Sequence, residues 1–364
     1  MTSLPAKVST LKPVLLKGEQ NRELPEQVSN YPKFRYMGSK TNLLPWIHQI
    51  LSGIDFESAW DPFVGGGSVA YLMKAMGRRI VSSDFLNFPT VISRAIIENP
   101  GKHLDGKARA QLLRSFKGGQ DFIERTFKGI YYTQEDLRFL DRVSGNLRHI
   151  EDPHLQAIAM TALLRSCLKK QPRGVFTITG DLSHYNDGRR DLRLSIEEHF
   201  LEQLEVIQSA GFSNGRRNKA MRGDIFEISV PSVDLVYLDP PYVPRSDDNC
   251  YIKRYHFLEG LSCYWQGVEI DYSTKTKKIA KRYTPFSYRS EALEAFERLF
   301  RLLKNKKIVL SYSNNGFPDL ETLEQLMKRF KNSVRIFAKP HRYHFGTHAA
   351  VKRAETVEYL IVGQ

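Results

Sequence analysis

The sequence predicts an α/β fold of the open-sheet, nucleotide-binding kind, interrupted by a largely helical stretch. Three observations carry this. Asp61-Pro62-Phe63-Val64-Gly65-Gly66-Gly67-Ser68 is a glycine loop between a short run (Ser58, Ala59, Trp60) and an apolar helical stretch from Val69 through Leu72, Met73 and Met76. Arg79-Ile80-Val81-Ser82-Ser83-Asp84 reads as a second strand that ends in an acid. Val233 to Leu238 is a third run of strand length, stopped abruptly by Asp239-Pro240-Pro241-Tyr242.

Composition bounds the problem. At 364 residues the chain suits one large or two modest domains, and 41% hydrophobic content is enough for a proper core. A formal net charge of +14 points to a polyanionic partner, without separating DNA from RNA or an anionic membrane. The three cysteines, Cys167, Cys250 and Cys263, are far apart and odd in number. They read as neither a disulfide framework nor a zinc site. No stretch approaches the roughly 18 apolar residues of a membrane span, and no signal-peptide core follows the start. The expectation is a cytoplasmic, reducing compartment and no membrane partner.

Taken in order, residues 1–30 are polar with three prolines (Pro5, Pro13, Pro25) and read as an arm. Tyr36-Met37-Gly38-Ser39-Lys40 precedes Leu43, Leu44, Trp46, Ile47, Ile50 and Leu51, whose spacing is helical. Gly38, Ser39 and Lys40 there suit either an anion clamp at a helix N-terminus or an ordinary capped helix with a solvated lysine. The Gly65-Gly66-Gly67 loop lets backbone approach a ligand closely. Its spacing is neither the dinucleotide fingerprint nor a P-loop. Asp84 follows the glycines at about 20 residues, the distance at which an acid meets ribose hydroxyls. Loop and acid together suit S-adenosyl-L-methionine (AdoMet) better than a nicotinamide dinucleotide.

From about Asn99 to Arg222 helical patterns dominate, as in Ala157, Ile158, Met160, Thr161, Leu163 and Leu164. Basic loops interrupt them: Lys169, Lys170 and Arg173, then Arg189, Arg190 and Arg193, then Arg216, Arg217, Lys219 and Arg222. Each cluster suits phosphate contact or a solvated surface equally; three in one segment favour nucleic acid. Asp224, in Gly223-Asp224-Ile225-Phe226, is either an acceptor for an adenine amino group or a plain turn acid.

The Asp239-Pro240-Pro241-Tyr242 turn lies past the C-terminal end of its strand, where open α/β sheets bind ligands. Consecutive prolines hold the backbone extended. Asp239 and the Pro240 carbonyl accept hydrogen bonds, and Tyr242 can stack on a flat ring. A nucleobase amino group suits all three. Two acceptors on its protons would draw the nitrogen toward tetrahedral geometry and free its lone pair, an electrostatic rather than general-base device. An ordinary surface turn after a buried strand is the plainer reading.

Residues 243–288 read as a long irregular stretch, rich in tyrosine (Tyr251, Tyr255, Tyr264, Tyr272, Tyr283, Tyr288) and lysine (Lys275, Lys277, Lys278, Lys281), suited to backbone tracking and base stacking. A helix is expected over 291–303, a strand with a polar end at Lys307 to Asn315, and a final strand at 357–362. His341, His344 and His348 lack a matching Cys or acid, so no metal is expected.

Tyr36 to Lys40, Asp61 to Ser68, Ser82-Ser83-Asp84, Gly223 to Phe226 and Asp239 to Tyr242, in this order, resemble the Dam-like family of adenine-specific (N6) DNA methyltransferases. The likeness covers most of residues 33–245. It implies an α/β, Rossmann-like AdoMet-dependent methyltransferase fold: a mostly parallel seven-stranded sheet with helices on both faces, a largely helical target-recognition insert and the α order of motifs. The implied organisation is an arm (1–30), a catalytic domain (31–98 and 220–364), an insert (99–219) and a DNA-facing loop (243–288). By the resemblance Tyr36, Lys40 and Asp61 help bind AdoMet, Phe63, Gly65 and Gly67 wrap its methionine part, Asp84 holds its ribose, and Asp224 meets its adenine end. Asp239, Pro240, Pro241 and Tyr242 grip a flipped adenine, with Asp239 also near AdoMet. Lys169, Lys170, Arg173, Arg189, Arg190, Arg193, Lys277 and Lys281 are the expected DNA contacts. Ser313-Asn314 resembles a later motif of the family.

The implied partner is double-stranded DNA, with a cognate restriction endonuclease as a system partner without direct contact, and a monomer or weak dimer as the working form. The recognised DNA sequence is not legible. Three other functions fit parts of the pattern. An RNA methyltransferase would modify RNA alone; a non-catalytic DNA-binding protein would not bind AdoMet; a nicotinamide oxidoreductase would bind NAD.

Overall fold

The computed structural model describes residues 13–14, 23–115, 121–177, 187–244, 250–342 and 355–364. Numbered along the chain, the helices are α1 (Leu44–Leu51), α2 (Ser68–Ala75), α3 (Asn87–Ser93), α4 (Gly106–Leu113), α5 (Phe122–Phe127), α6 (Gln134–Leu147), α7 (Pro153–Lys169), α8 (Arg190–Arg193), α9 (Ile196–Ala210), α10 (Tyr251–Ser262), α11 (Arg289–Leu302) and α12 (Leu320–Lys328). The strands are β1 (Ser58–Asp61), β2 (Arg79–Asp84), β3 (Lys219–Arg222), β4 (Leu235–Leu238), β5 (Val243–Pro244), β6 (Ile270–Asp271), β7 (Lys278–Ile279), β8 (Lys307–Ser313), β9 (Gly316–Phe317), β10 (Val334–Arg342) and β11 (Glu355–Gly363). The fold is α/β, as the sequence predicts, with the mostly parallel seven-stranded sheet that the family resemblance implies.

Two units divide the chain, a larger one of Asn21–Asp234 and Cys250–Tyr283 and a smaller one of Met1–Gln20, Leu235–Asn249 and Thr284–Gln364. In the larger unit β1, β2 and β3 run parallel, with Asp61 opposite Ser82 and Asp84 opposite Arg222. Every residue of β1 is buried, with apolar Ala59 and Trp60 at its centre and polar Ser58 and Asp61 at its two ends. The strand ends therefore carry Asp61, Asp84 and, just beyond, Asp224. α1 buries Leu44, Trp46, Ile47, Ile50 and Leu51 on the helical spacing read from sequence, with Pro45 in its first turn, where the missing N–H costs nothing. The helical segment is built from α4 to α9. Asp152 caps α7 by accepting from His154 N at 2.8 Å, and Ser195 and Glu198 close a capping box on α9.

In the smaller unit β4 and β8 are parallel, β8 and β11 antiparallel, and β11 and β10 antiparallel. Pairing begins at Arg342 opposite Glu355 and ends at Val334 opposite Gly363. β11 is longer than the expected 357–362, and β10 is an addition to the sequence reading. Val14 makes a parallel bridge to Phe337, its N–H donating to the Ile336 carbonyl at 2.9 Å. The rest of the expected arm up to residue 22 lies outside the described residues, as does most of the His341 to His348 stretch.

Two expectations are overturned. Residues 250–283 are not irregular throughout: α10 occupies 251–262, and Tyr255, Phe257, Leu258, Leu261 and Trp265 are buried, while 263–283 are turns and extended chain around the short β6–β7 pair. Lys219 and Arg222 are not loop cations but the ends of β3, where Arg222 reaches Glu259 at 3.5 Å.

Candidate active site

The glycine loop of the larger unit is built by three short-range constraints. Gly65 and Gly67 have φ of +49° and +80°, a region where an L side chain is strained. Val64 N donates to the Ser83 carbonyl at 3.1 Å, and Gly67 N to the Val64 carbonyl at 2.7 Å, so the loop folds back on β2 before α2 begins. A Cβ at Gly65 would sit 2.8 Å from the Tyr36 ring, and the Tyr31 hydroxyl donates to the Gly66 carbonyl at 2.7 Å. Only a glycine backbone lets these rings lie so close.

Asp84 is tied to this loop. Its carboxylate accepts from Gly65 N at 3.1 Å and from Leu86 N at 3.0 Å. Burial, with some help from the Glu259 charge, raises its pKa from 3.8 to about 7 against the pull of the Leu86, Gly65 and Phe85 N–H groups. The Asp84 carbonyl accepts from Gly223 N at 2.9 Å, which draws the Gly223 to Phe226 turn alongside. Asp224 closes that turn on itself, accepting from Phe226 N at 2.8 Å. Asp61 is buried and accepts from Phe63 N at 3.2 Å. Lys40 is buried rather than solvated, its Nζ donating to the Gly38 carbonyl at 3.1 Å. The helix it was expected to open starts later, at Leu44, after a 3-10 turn over Thr41–Leu43.

The sequence reading missed the groups that hold this loop from α10. Tyr251 and Tyr255 lie with their rings 5.5 and 5.1 Å from that of Tyr36, both stacked. Glu259 is 2% exposed and accepts from Asn87 N and Phe88 N. A periodic signal existed: Tyr251, Tyr255, Leu258 and Ser262 follow the mixed four-, three- and four-residue steps of a helix face, but the tyrosines and lysines around them read as a nucleic-acid surface.

In the smaller unit Asp239 follows β4 and is half-buried, with Pro240 buried and Tyr242 half-buried. The chain then enters β5, where Val243 pairs with Phe317 of β9. The Tyr242 ring rests 5.3 Å from that of Tyr312, at 59°. Tyr312 is itself fixed by donating to the Pro318 carbonyl at 2.7 Å, and a Cβ at Gly316 would collide with its ring. Burial raises the Tyr312 pKa. Tyr242 is thus backed by a rigid ring that ends the parallel neighbour strand. Asn314 in the next motif exchanges bonds with Val357, its N–H donating to the Val357 carbonyl at 3.0 Å.

The expected DNA contacts divide. Arg173 and Arg193 are exposed. Arg189 and Arg190 are exposed but paired with Asp187 and Glu202, and Lys169 shares Asp191 with Arg35. Lys277 donates to the Tyr272 carbonyl at 2.7 Å and Lys281 lies over the Tyr283 ring. Lys170 is a correction. Its side chain is 8% exposed and pairs at 2.6 Å with Asp136, itself 2% exposed. Asp136 also accepts from Ile196 N at 2.7 Å, so the pair ties the end of α7 and the start of α9 to α6 rather than facing a polyanion.

Among the described residues no helix is long and apolar enough to cross a membrane, and no three His, Cys, Asp or Glu side chains are grouped to hold a metal ion.

The geometry coincides with similarity to known proteins. A family model described as D12 class N6 adenine-specific DNA methyltransferase matches residues 36–328. The chain is 28% identical over 327 residues to the type II methyltransferase M2.HphI of Haemophilus parahaemolyticus, covering 86% of this chain and 92% of that protein. It is 24% identical to the type II methyltransferase M.NlaIII of Neisseria lactamica, over 81% of this chain and 88% of the relative. It is 27% identical to the modification methylase LlaI of Lactococcus lactis subsp. lactis, over 81% of this chain but only 49% of that longer protein.

Proposed function

Because the chain belongs to the D12 class of N6 adenine-specific DNA methyltransferases, we propose that it methylates the 6-amino group of an adenine flipped out of duplex DNA, with AdoMet as donor. The observation that carries the donor half is the gathering of Tyr36, Asp61, the 63–67 loop, Asp84 and Asp224 at the ends of β1, β2 and β3. These residues fit AdoMet. A carboxylate has room for about four hydrogen bonds, and on Asp84 the N–H groups of Gly65, Leu86 and Phe85 take up at most three, leaving acceptor capacity for a ribose hydroxyl. Phe63 to Gly67 bring bare backbone to the methionine part, and Tyr36 and Lys40 close the loop. Asp61 and Asp224 serve the same site. AdoMet, when bound, supplies a methyl group already activated by its positive sulfur.

The chain's own residues act on the base. Extruding an adenine costs roughly a few kcal/mol, and stacking on Tyr242 returns about 1–3 kcal/mol. The Asp239 carboxylate and the Pro240 carbonyl each accept a hydrogen bond from the amino group. They stabilise the positive charge that develops on that nitrogen as its lone pair is released. Pro241 keeps the two acceptors on a rigid backbone.

The 99–219 segment serves as the target-recognition insert, with Arg173, Arg189, Arg190, Arg193 and Lys169 on phosphates and base edges, and Lys277 and Lys281 adding to them. The protein works in the cytoplasm as a monomer or weak dimer. Its relatives named type II methyltransferases and modification methylases support a role as the modification enzyme of a restriction–modification system. Expression in a methylation-free host, followed by single-molecule sequencing, tests the reading. N6-methyladenine confined to one sequence context is expected. Methylated RNA with unmodified DNA would overturn it.

A further inference from the structure

Tyr251, Tyr255 and Glu259 recur along α10 at the four-residue spacing that places side chains on one face of a helix. That face meets both loops to which the donor site is assigned. The Tyr255 ring stacks on Tyr36 at 5.1 Å and 14°, and its hydroxyl oxygen accepts from Met37 N at 2.8 Å. The backbone dihedrals of α10 break at Tyr255, at φ −121° and ψ 18°. One turn later the Glu259 carboxylate accepts from Asn87 N at 2.8 Å and from Phe88 N at 3.1 Å, three and four residues past Asp84. Ser262 adds a bond from the Asn87 amide at 2.9 Å.

The other side of α10 is locked into the helical segment. His256 Nε2 lies 2.9 Å from the Phe176 carbonyl, and the Phe257 ring stacks on Phe176 at 5.1 Å and meets Phe127 edge-on at 4.9 Å. A buried acid is costly unless its oxygens are satisfied. Glu259 spends its oxygens on the two N–H groups that open α3 and on Arg222, and so fixes the chain that leaves Asp84.

We propose that Tyr255 and Glu259 are positioning residues for the donor site: Tyr255 sets the Tyr36–Met37 loop and Glu259 sets the turn after Asp84. This rests on the reading of the larger unit as the AdoMet site. Neither residue touches reacting atoms, so each acts on donor affinity and not on the chemical step.

The test is calorimetric titration of AdoMet into the full chain and into Tyr255→Phe, Glu259→Gln and Phe257→Leu, with steady-state methylation alongside. Tyr255→Phe and Glu259→Gln are expected to raise the Kd for AdoMet about tenfold, leave kcat at saturating AdoMet within about twofold, and leave DNA affinity unchanged. Phe257→Leu, on the opposite face, is expected to lower the melting temperature without moving that Kd. Wild-type affinity in the first two variants would overturn the inference. So would an equal loss in Phe257→Leu, because the effect would then be general softening of the helix. A wild-type chain that binds no AdoMet would remove the reading beneath it as well.

Discussion

AdoMet binding should be linked to the ionisation of Asp84. Burial lifts the pKa of this carboxyl from 3.8 to about 7, with a smaller push from Glu259. A shift of roughly three units corresponds to about 4 kcal/mol of preference for the protonated form. The folded pKa is raised, so its contribution to stability is fullest below the unfolded value near 3.8 and is lost as pH rises through about 7. A ligand whose hydroxyls donate to the carboxylate favours the ionised form and pulls the pKa back down. Binding must then release a proton whenever the free protein holds one. The Kd for AdoMet should be flat above about pH 7.5 and rise by up to about tenfold per unit below pH 7. Calorimetry from pH 5.5 to 8.5, in two buffers of different ionisation enthalpy, measures both the affinity and the proton count. Lys74 also titrates near 7, burial having lowered its pKa, so Asp84→Asn is the control that assigns the slope. A flat wild-type profile, or an Asn variant that keeps the slope, would refute the reasoning.

The other predictions are shorter. Asp239→Ala should abolish methyl transfer while DNA binding, followed by fluorescence anisotropy, stays near wild type; full activity would remove the role given to Asp239. Replacing exposed Arg173 and Arg193 together by Ala should weaken binding to all duplexes alike and lower the slope of log K against log salt by about 2, near 0.9 per phosphate contact. Lys170→Ala should instead cost about 3–5 kcal/mol in urea denaturation, because it leaves Asp136 buried and unpaired; a stable variant that binds DNA poorly would reverse that assignment. Gly65→Ala forces a side chain into positive φ and to 2.8 Å from the Tyr36 ring, so it should lose AdoMet affinity at least tenfold by titration while keeping its far-ultraviolet circular dichroism.

What the sequence made legible was local. The glycine loop, the acid that ends β2 and the prolines that stop β4 are short-range instructions, set by φ, by a missing N–H and by the reach of one side chain. Those elements stand where the spacing predicts. What stayed hidden depends on partners far along the chain. Lys170 looks like its neighbour Lys169 in sequence, and only the arrival of Asp136 from α6 makes it a buried cation. Tyr251 and Tyr255 have the composition of a stacking surface, yet Tyr36 and Phe88 bury Tyr255 between them and Tyr36 stacks on half-buried Tyr251. Arg222 reads as one more basic residue until β3 pairs with β2 and presents it to Glu259. β10 escaped notice because its polar positions at Arg335, Lys339 and His341 interrupt the apolar run, while its partner β11 is continuous enough to show.

The buried charges share one logic. Helix ends leave backbone groups without intrahelical partners, with positive charge at one end and negative at the other. Three acids satisfy helix starts from a distance: Glu259 at α3, Asp136 at α9, where it accepts from Ile196 N at 2.7 Å, and Asp141 at α5, where it accepts from Ile123 N at 3.0 Å and Glu124 N at 2.8 Å. Two lysines satisfy helix exits. Lys74 donates to the Ile96 and Asn99 carbonyls at 3.2 and 3.0 Å, in and just past the π-helical turn Arg94–Glu98 that follows α3, and Lys331 to those of Leu303 and Lys304 at 2.8 and 2.9 Å beyond α11. These charges complete the fold and cannot reach a phosphate. A formal net charge of +14 therefore miscounts the field that DNA meets, because buried lysines such as Lys74, Lys170 and Lys331 and buried acids such as Asp84, Asp136, Asp141 and Glu259 are all counted in it. Position decides instead: a cation bound to backbone carbonyls or a buried acid stabilises the protein, and only one held at the surface can release counterions from DNA. For that reason the DNA-binding prediction rests on Arg173 and Arg193, and the stability prediction on Lys170.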